Sequence, residues 1–426
     1  MEEIKLGMVG LGTVGSGVLE MVQKHAAKIS AVTGRKLALK TVVVRNLAKH
    51  AAVAQQVHLT TDLNEILTDP EIKIVVEVMG GIHPAKEVIT QLLTAHKHVV
   101  TANKDLIATE GAELIELARA NHCDLLYEAS VAGGIPILRT IADSFAADQI
   151  TEVKGIVNGT TNYIMTQMNQ AGISYEQALK QAQELGFAEA DPTNDVEGID
   201  AAYKMIILTQ FAFGKDITLD DVKLEGISNV RAEDIAEAKR LGYKLKLLGI
   251  SKLVNKHLDV SVGPVLVPRN QPLAAVQNEN NAVFVTGAAV GETMFYGPGA
   301  GELPTANSVL SDIITVAKNI VMGTTGVRFN DYSADVKLAV PSEVVYPYYI
   351  SLKVLDQPGQ MLKLTEIMTK AQASFNLITQ TQLDEDYARV TMVTHKMSEA
   401  QLNEIKAALA QLDTIEVIAA YKVLGG

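Results

Sequence analysis

Apolar positions in the first hundred residues fall into short runs separated by amphipathic stretches. Residues 4–10 form a compact run of the kind a buried strand requires, and residues 14–27 carry apolar positions at helical spacing, so the chain begins strand, glycine turn, helix. Runs rich in β-branched residues recur at 37–44, 73–79 and 98–102, with helical patterns such as 84–95 between them. Such alternation predicts an α/β fold whose first domain is a doubly wound, Rossmann-type parallel sheet.

From about Gly133 the pattern changes. A Gly-Gly-Ile-Pro turn precedes a helix predicted from Ile137, and mixed strands and helices continue to about Phe329, which reads as a second, α+β domain. Residues 332–345 carry prolines and scattered charges without a sustained period and read as a linker. Beyond them the pattern predicts a strand at 348–354, a turn through Asp356, Pro358 and Gly359, a helix at 361–371, strands at 375–382 and 387–394, a helix at 398–412 and a strand at 414–423. That order, βαββαβ, is the ferredoxin-like split unit.

With 426 residues the chain exceeds what one core usually organises, and 48% hydrophobic with 20% charged residues is the balance of a globular protein. A formal net charge of -12 argues against nucleic acid as a partner and favours a small-molecule ligand. The single cysteine, Cys123, cannot close an internal disulfide or build a metal site by itself, which points to a reducing compartment. The first residues lack the basic and apolar segments of a secretion signal, and no apolar run approaches the ~18 residues of a membrane span. A soluble, cytoplasmic protein is expected.

Gly10-Leu11-Gly12-Thr13-Val14-Gly15 is a GxGxxG set between a predicted strand and helix. There Gly10 permits the tight turn, Gly12 lets the backbone approach a pyrophosphate, Gly15 lets helix meet strand, and the helix N-terminus offers N–H groups to the anion. A glycine-rich turn without a ligand is the bland alternative. The second strand ends in Arg45, whose guanidinium suits a 2′-phosphate and so favours NADP over NAD, unless it is only a solvated surface arginine.

Residues 186–204 crowd acids ahead of a lysine: Glu189, Asp191, Asp195, Glu197 and Asp200, then Lys204. If the segment after Pro192 is helical, Glu197, Asp200 and Lys204 share one face, and the apolar run from Met205 places Lys204 at the edge of an apolar environment. Desolvation there would lower the lysine pKa and let it exchange a proton with an alcohol, while carboxylates nearby would hold an ammonium and oppose that shift. An exposed Asp200–Lys204 ion pair fits the spacing equally well. Lys104, at the carboxyl end of a predicted strand, would face the ligand crevice of an open α/β sheet or else the solvent. The turn from Glu128 to Pro136 could offer backbone carbonyls to a hard cation, although a plain hinge turn fits it better.

These segments, together with residues 155–163 (Gly-Ile-Val-Asn-Gly-Thr-Thr-Asn-Tyr), resemble homoserine dehydrogenase across most of residues 1–330. The resemblance implies oxidation of L-homoserine to L-aspartate 4-semialdehyde, or its reverse, with NADP and in some enzymes NAD. It implies Lys204 as proton donor and acceptor, Lys104 at the cofactor and reacting oxygen, and Glu189, Asp195, Asp200 and Gly186 on the substrate. Cofactor contacts would come from Gly10, Gly12, Thr13, Val14, Gly15, Arg45 and Gly301. Glu128, Val131, Gly133 and Ile135 match a monovalent cation site, sodium in the family, bound mainly through carbonyls.

The C-terminal unit, with Asp356-Gln357-Pro358-Gly359 after its first strand, resembles an ACT domain, which implies an amino-acid effector, threonine in the family, and a homo-oligomer. The expected organisation is then 1–132, completed by about 305–330, for NAD(P); 133–304 for substrate, catalysis and dimerisation; a linker at 331–346; and a regulatory domain at 347–426.

Aspartate semialdehyde dehydrogenase chemistry would need a cysteine nucleophile, and Cys123 lacks a catalytic-looking surround. Zinc alcohol dehydrogenase chemistry would need a ligand cluster that one cysteine and scattered histidines do not supply. The alternative of another class is a non-catalytic sensor of dinucleotide and amino acid, which has no need of a lysine on the edge of an apolar helix.

Overall fold

The computed structural model describes residues 2–425. The chain divides into two compact units: the first comprises Met1–Val153, Tyr203–Asp220 and Asn281–Asp335, the second Lys154–Ala202, Asp221–Asn280 and Val336–Gly426.

In the first unit, strands β1 (Glu3–Val9), β2 (Lys36–Val43), β3 (His58–Thr60), β4 (Ile72–Glu77), β5 (His98–Thr101) and β6 (Leu125–Leu126) form a parallel sheet in the order β3-β2-β1-β4-β5-β6. Helices Thr13–Lys24, Ala85–Thr94 and Lys104–Ala120 make crossovers. A parallel sheet covered by helices must be apolar on its faces; Leu6, Met8, Ile74, Val76 and Val100 are accordingly buried. The strand order reverses beside β1, so a crevice opens beyond the carboxyl ends of β1 and β4.

The chain returns to this core with the helix Glu302–Met322, whose Ala306, Val309, Leu310, Ile313, Val316 and Ala317 are buried among the residues of β1 and β2. It crosses the helix Thr13–Lys24 so closely that a Cβ on Gly17 would lie 2.8 Å from the Glu302 carbonyl oxygen. The helix expected over 14–27 is instead two, Thr13–Lys24 and Ala26–Thr33. The helix expected from Ile137 spans only Ile137–Arg139 before the backbone widens into a π-turn at Thr140–Ser144.

In the second unit, strands Tyr243–Val254 and His257–Pro268 form a long antiparallel hairpin. Its two-residue turn, Asn255-Lys256, has φ of 50° and 70°, the left-handed pair that matches strand twist. The sheet continues through Ile415–Val423, Tyr348–Leu355 and Tyr387–Thr394 to Phe375–Gln382. These last four strands pair antiparallel with one another. With the helices Gln360–Lys370 and Glu399–Leu409 they follow the βαββαβ order, around a core that includes Leu352, Leu364, Met368, Val390, Ile405 and Leu409. Ser398 and Gln401 close a capping box at the start of the second helix.

Most of the segment read as a linker lacks regular structure but is fastened down. The Leu258 N–H donates to Lys337 O at 2.8 Å, the Ala339 N–H donates to Leu258 O at 2.9 Å, and Val344 is buried in the C-terminal core. Among the described residues no helix is long and apolar enough to cross a membrane.

Candidate active site

The glycine loop after β1 lines a cavity of about 670 Å3 together with Val43, Val44, Arg45, Lys49, Thr61 and Met79. Its three glycines serve different ends. Gly10 has φ +98° and a Cβ there would sit 2.7 Å from Val78 O; a Cβ on Gly15 would sit 2.7 Å from Gly10 O. Gly12, by contrast, has nothing within 4 Å of its Cβ position and heads the helix that Thr13 and Val14 begin, with no side-chain cap on the helix N-terminus. A turn, a close packing point and an open approach to a helix N-terminus are what a dinucleotide pyrophosphate requires.

Arg45 lies exposed on the cavity, two residues past β2. Lys49 is a second cation on the same wall, on the short turn Ala48–His50, whose Ala48 N–H donates to the Asn46 side chain at 3.0 Å. Sequence reasoning missed Lys49; its signal was a second basic residue just after the strand that ends in an arginine.

Lys104 opens the helix Lys104–Ala120 directly beyond β5, half-buried, with its ammonium 3.2 Å from Asp105 Oδ1. Asn103 sets this start by accepting from the Leu106 N–H and donating to Gly81 O at 2.7 Å. The Thr101 hydroxyl donates to Glu77 Oε2 at 2.6 Å and ties the ends of β5 and β4 together.

The acid-rich stretch does not form one helix. A single turn, Thr193–Val196, ends before Gly198, whose φ of +81° breaks the helical path, and a new helix runs from Ile199 to Phe213. Glu197 therefore lies outside the face on which it was expected, while Asp200 and Lys204 remain one turn apart on the second helix. Asp200 is buried, and Asp195 and Lys204 are half-buried.

Asp195 and Asp200 are brought together by Asn158, whose side-chain N–H groups donate to Asp195 Oδ1 at 2.7 Å and Asp200 Oδ2 at 2.8 Å. Glu189 and Gly186 lie on an exposed loop, with Gly186 at φ +76° and open space at its Cβ position. That loop is tied to the start of the helix Gly159–Ala171, which Asn158 caps, by the Thr160 hydroxyl, which donates to Phe187 O at 2.7 Å. Asn158 was quoted in the resemblance without a role; an asparagine ahead of Gly-Thr-Thr is a helix-cap signal, which gave no hint of its reach toward the aspartates.

Lys246 is buried behind this helix, donating to Asn162 Oδ1 at 2.8 Å and Val276 O at 2.5 Å. Burial, reinforced by the Lys244 charge, brings its pKa down to about 7. The unfolded chain therefore holds one more proton at Lys246 than the folded chain between pH ~7 and ~10.4, and in that window this group makes stability rise with pH. Denaturant unfolding at pH 7, 8.5 and 10 should show a steeper gain in the parent than in Lys246→Met; parallel curves would refute this.

At the Glu128 turn, the buried carboxylate accepts from the Leu138 and Arg139 N–H groups at 2.9 and 2.8 Å, and the Glu128 N–H donates to Asp312 Oδ2 at 2.8 Å. Burial pushes Glu128 up, with these amides opposing it, and pushes Asp312 to about 7 despite its pairing with Arg139. Ala132 and Gly133 are both left-handed, and a Cβ on Gly133 would lie 2.4 Å from Gly299 O. The Gly133 and Ile135 carbonyls each accept a hydrogen bond, from the Ser308 hydroxyl and the Ile137 N–H. Gly301, at φ +121°, begins the helix Glu302–Met322. Cys123 is buried and its thiol is pushed up to about 11, the opposite of an activated nucleophile.

Two family models match the chain: "Homoserine dehydrogenase, NAD binding domain" over residues 10–128 and "Homoserine dehydrogenase" over residues 136–314. The chain is 46% identical to a homoserine dehydrogenase of Bacillus subtilis, covering 100% of this chain and 99% of that one. It is similar to the crystal structure of a homoserine dehydrogenase from Thiobacillus denitrificans, at 37% identity and TM-score 0.95 over 99% of this chain and 98% of that chain. It also resembles a hyperthermophilic archaeal homoserine dehydrogenase in complex with NADPH, at 26% identity and TM-score 0.63 over 74% of this chain and 97% of that chain.

Proposed function

Because the chain belongs to the homoserine dehydrogenase family, NAD(P)-dependent oxidoreductases of amino-acid biosynthesis, we propose that Lys204 is the proton carrier between L-homoserine and L-aspartate 4-semialdehyde. The observation that carries this reading is the helix Ile199–Phe213, which opens with buried Asp200 and sets Lys204 one turn on, ahead of the buried run Met205–Leu208. Asp200, Asp195 and Glu189 supply carboxylates for the substrate ammonium, and Gly186 lets backbone approach it. In the oxidative direction Lys204 takes the hydroxyl proton, and in the reductive direction it returns it. The dinucleotide, when bound, supplies hydride acceptance or donation. Lys104 holds the reacting oxygen.

Gly10, Gly12, Thr13, Val14 and Gly15 would hold the pyrophosphate, Gly301 would lie against the dinucleotide, and Arg45 with Lys49 would take a 2′-phosphate, which makes NADP the favoured cofactor. The fit rests on the open Cβ direction at Gly12 and the two cations on the cavity wall. Glu128, Val131, Gly133 and Ile135 would hold a sodium ion. Among the described residues no group of three or more His, Cys, Asp or Glu could bind a metal, so such an ion would depend on the carbonyls of this turn. Residues 347–426 would be an ACT domain with threonine as effector, in a cytoplasmic homo-oligomer; its support is the βαββαβ order and the strand order described above.

Incubation with L-homoserine and either NADP or NAD at alkaline pH, followed by the absorbance of the reduced cofactor, tests the reading. Turnover with both and a higher kcat/KM with NADP is expected; binding of both cofactors without reduction would overturn it. Arg45→Ala should raise the KM for NADP by about tenfold or more and leave that for NAD within twofold, because only the former loses a charge-assisted fork. Equal effects on both would remove Arg45 from the 2′-phosphate site.

A further inference from the structure

We infer that Asn158 is a positioning residue for the substrate-binding carboxylates, holding Asp195 and Asp200 in one geometry through a single amide. Every hydrogen-bonding valence of that side chain is used. Its NH2 donates to Asp195 Oδ1 and Asp200 Oδ2, and its carbonyl oxygen accepts from the Thr161 N–H at 2.8 Å and the Thr161 hydroxyl at 2.9 Å. A planar amide with two donors and two acceptor lone pairs can satisfy no more than this. The pattern also fixes which end faces the acids, because carboxylates take only the NH2 and a helix N-terminus wants only the oxygen.

The consequence is electrostatic as well as geometric. Two carboxylates sharing a site repel each other and disfavour double ionisation. Donors aimed at both offset part of that repulsion in the geometry that an ammonium-bearing substrate needs. Asn158 is itself buried and cannot swing away. Its helix is held from behind: Asn162 donates to Asn278 O at 2.8 Å and Asn280 O at 3.1 Å while accepting from Lys246. The first turn of the helix Gly159–Ala171 therefore transmits a fixed frame to the acids.

This inference rests on the reading of Asp195 and Asp200 as substrate ligands, and its test separates the two. Serine is the informative replacement, because its hydroxyl can still cap the helix but cannot bridge both carboxylates. In Asn158→Ser the KM for L-homoserine should rise by about ten- to a hundredfold, while the KM for NADP stays near the parent's. A merely structural role would move the two KM values together or not at all. Asp195→Asn and Asp200→Asn are measured alongside. If they raise the homoserine KM and Asn158→Ser does not, the positioning role is overturned and the substrate site stands. If neither aspartate variant changes that KM, the substrate site itself is wrong and the positioning role falls with it. If Asn158→Ser loses stability, Asn158→Thr, which also caps, provides the same comparison; a KM at the parent's value in a folded variant overturns the inference.

Discussion

Lys204→Ala is expected to lower kcat for homoserine oxidation by about a hundred- to ten-thousandfold, the range that removal of a positioned general base commonly costs. The substitution is otherwise mild. Alanine favours the helix Ile199–Phe213 intrinsically. Lys204 is half-buried, and the side chains that anchor the helix, Met205, Ile206, Ile207 and Leu208, are untouched. Asp200 also keeps its bond from Asn158. Dinucleotide binding, followed by quenching or transfer of cofactor fluorescence, should therefore match the parent's. A variant that turns over within threefold of the parent would take the proton-carrier role from Lys204 and return attention to Lys104.

Gly10→Ala and Gly12→Val should both abolish efficient turnover, by different routes. At Gly10 the added methyl meets Val78 O at 2.7 Å on a backbone at φ +98°, so the turn itself must shift. A strained position of this kind costs on the order of 1–3 kcal/mol, and a fall in melting temperature should accompany weaker cofactor binding. At Gly12 the protein places nothing within 4 Å of the new side chain. That variant should unfold like the parent yet bind NADP at least a hundredfold more weakly, because the isopropyl group occupies the approach of the pyrophosphate. Calorimetry and cofactor titration on the pair decide the matter. Undiminished NADP affinity in Gly12→Val would remove the glycine loop from the cofactor site.

The contrast between those glycines also shows where the sequence was readable. The GxGxxG loop, the buried strands and the C-terminal βαββαβ unit follow from local rules, and the strands at Phe375–Gln382 and Tyr387–Thr394 begin and end where the apolar pattern puts them. The break at Gly198 did not follow. A glycine is tolerated inside a helix at modest cost, and only its neighbours in space decide whether it turns left-handed. Glu197 was assigned to the wrong face for that reason. Asn158 illustrates a different limit: its cap role is local and legible, but its donors reach residues 37 and 42 positions away, which periodicity cannot register. Lys246 reads as one lysine in an alternating strand, and nothing nearby in sequence announces that it will be buried against Asn162.

The helix Glu302–Met322 has a consequence for the order in which this protein can be built. Its apolar face completes the core of β1 and β2, against a helix made near the very start of the chain. During synthesis the amino-terminal sheet must wait, with part of its hydrophobic surface bare, until most of the polypeptide has left the ribosome; the C-terminal βαββαβ segment, whose helices and strands are neighbours in sequence, closes much of its core as soon as it emerges. Long-range closure of this kind folds slowly and leaves apolar surface exposed meanwhile. A nascent chain with residues only up to Gly301 outside the ribosome should accordingly be the species that chaperones retain, and emergence of the helix through Met322 should release it.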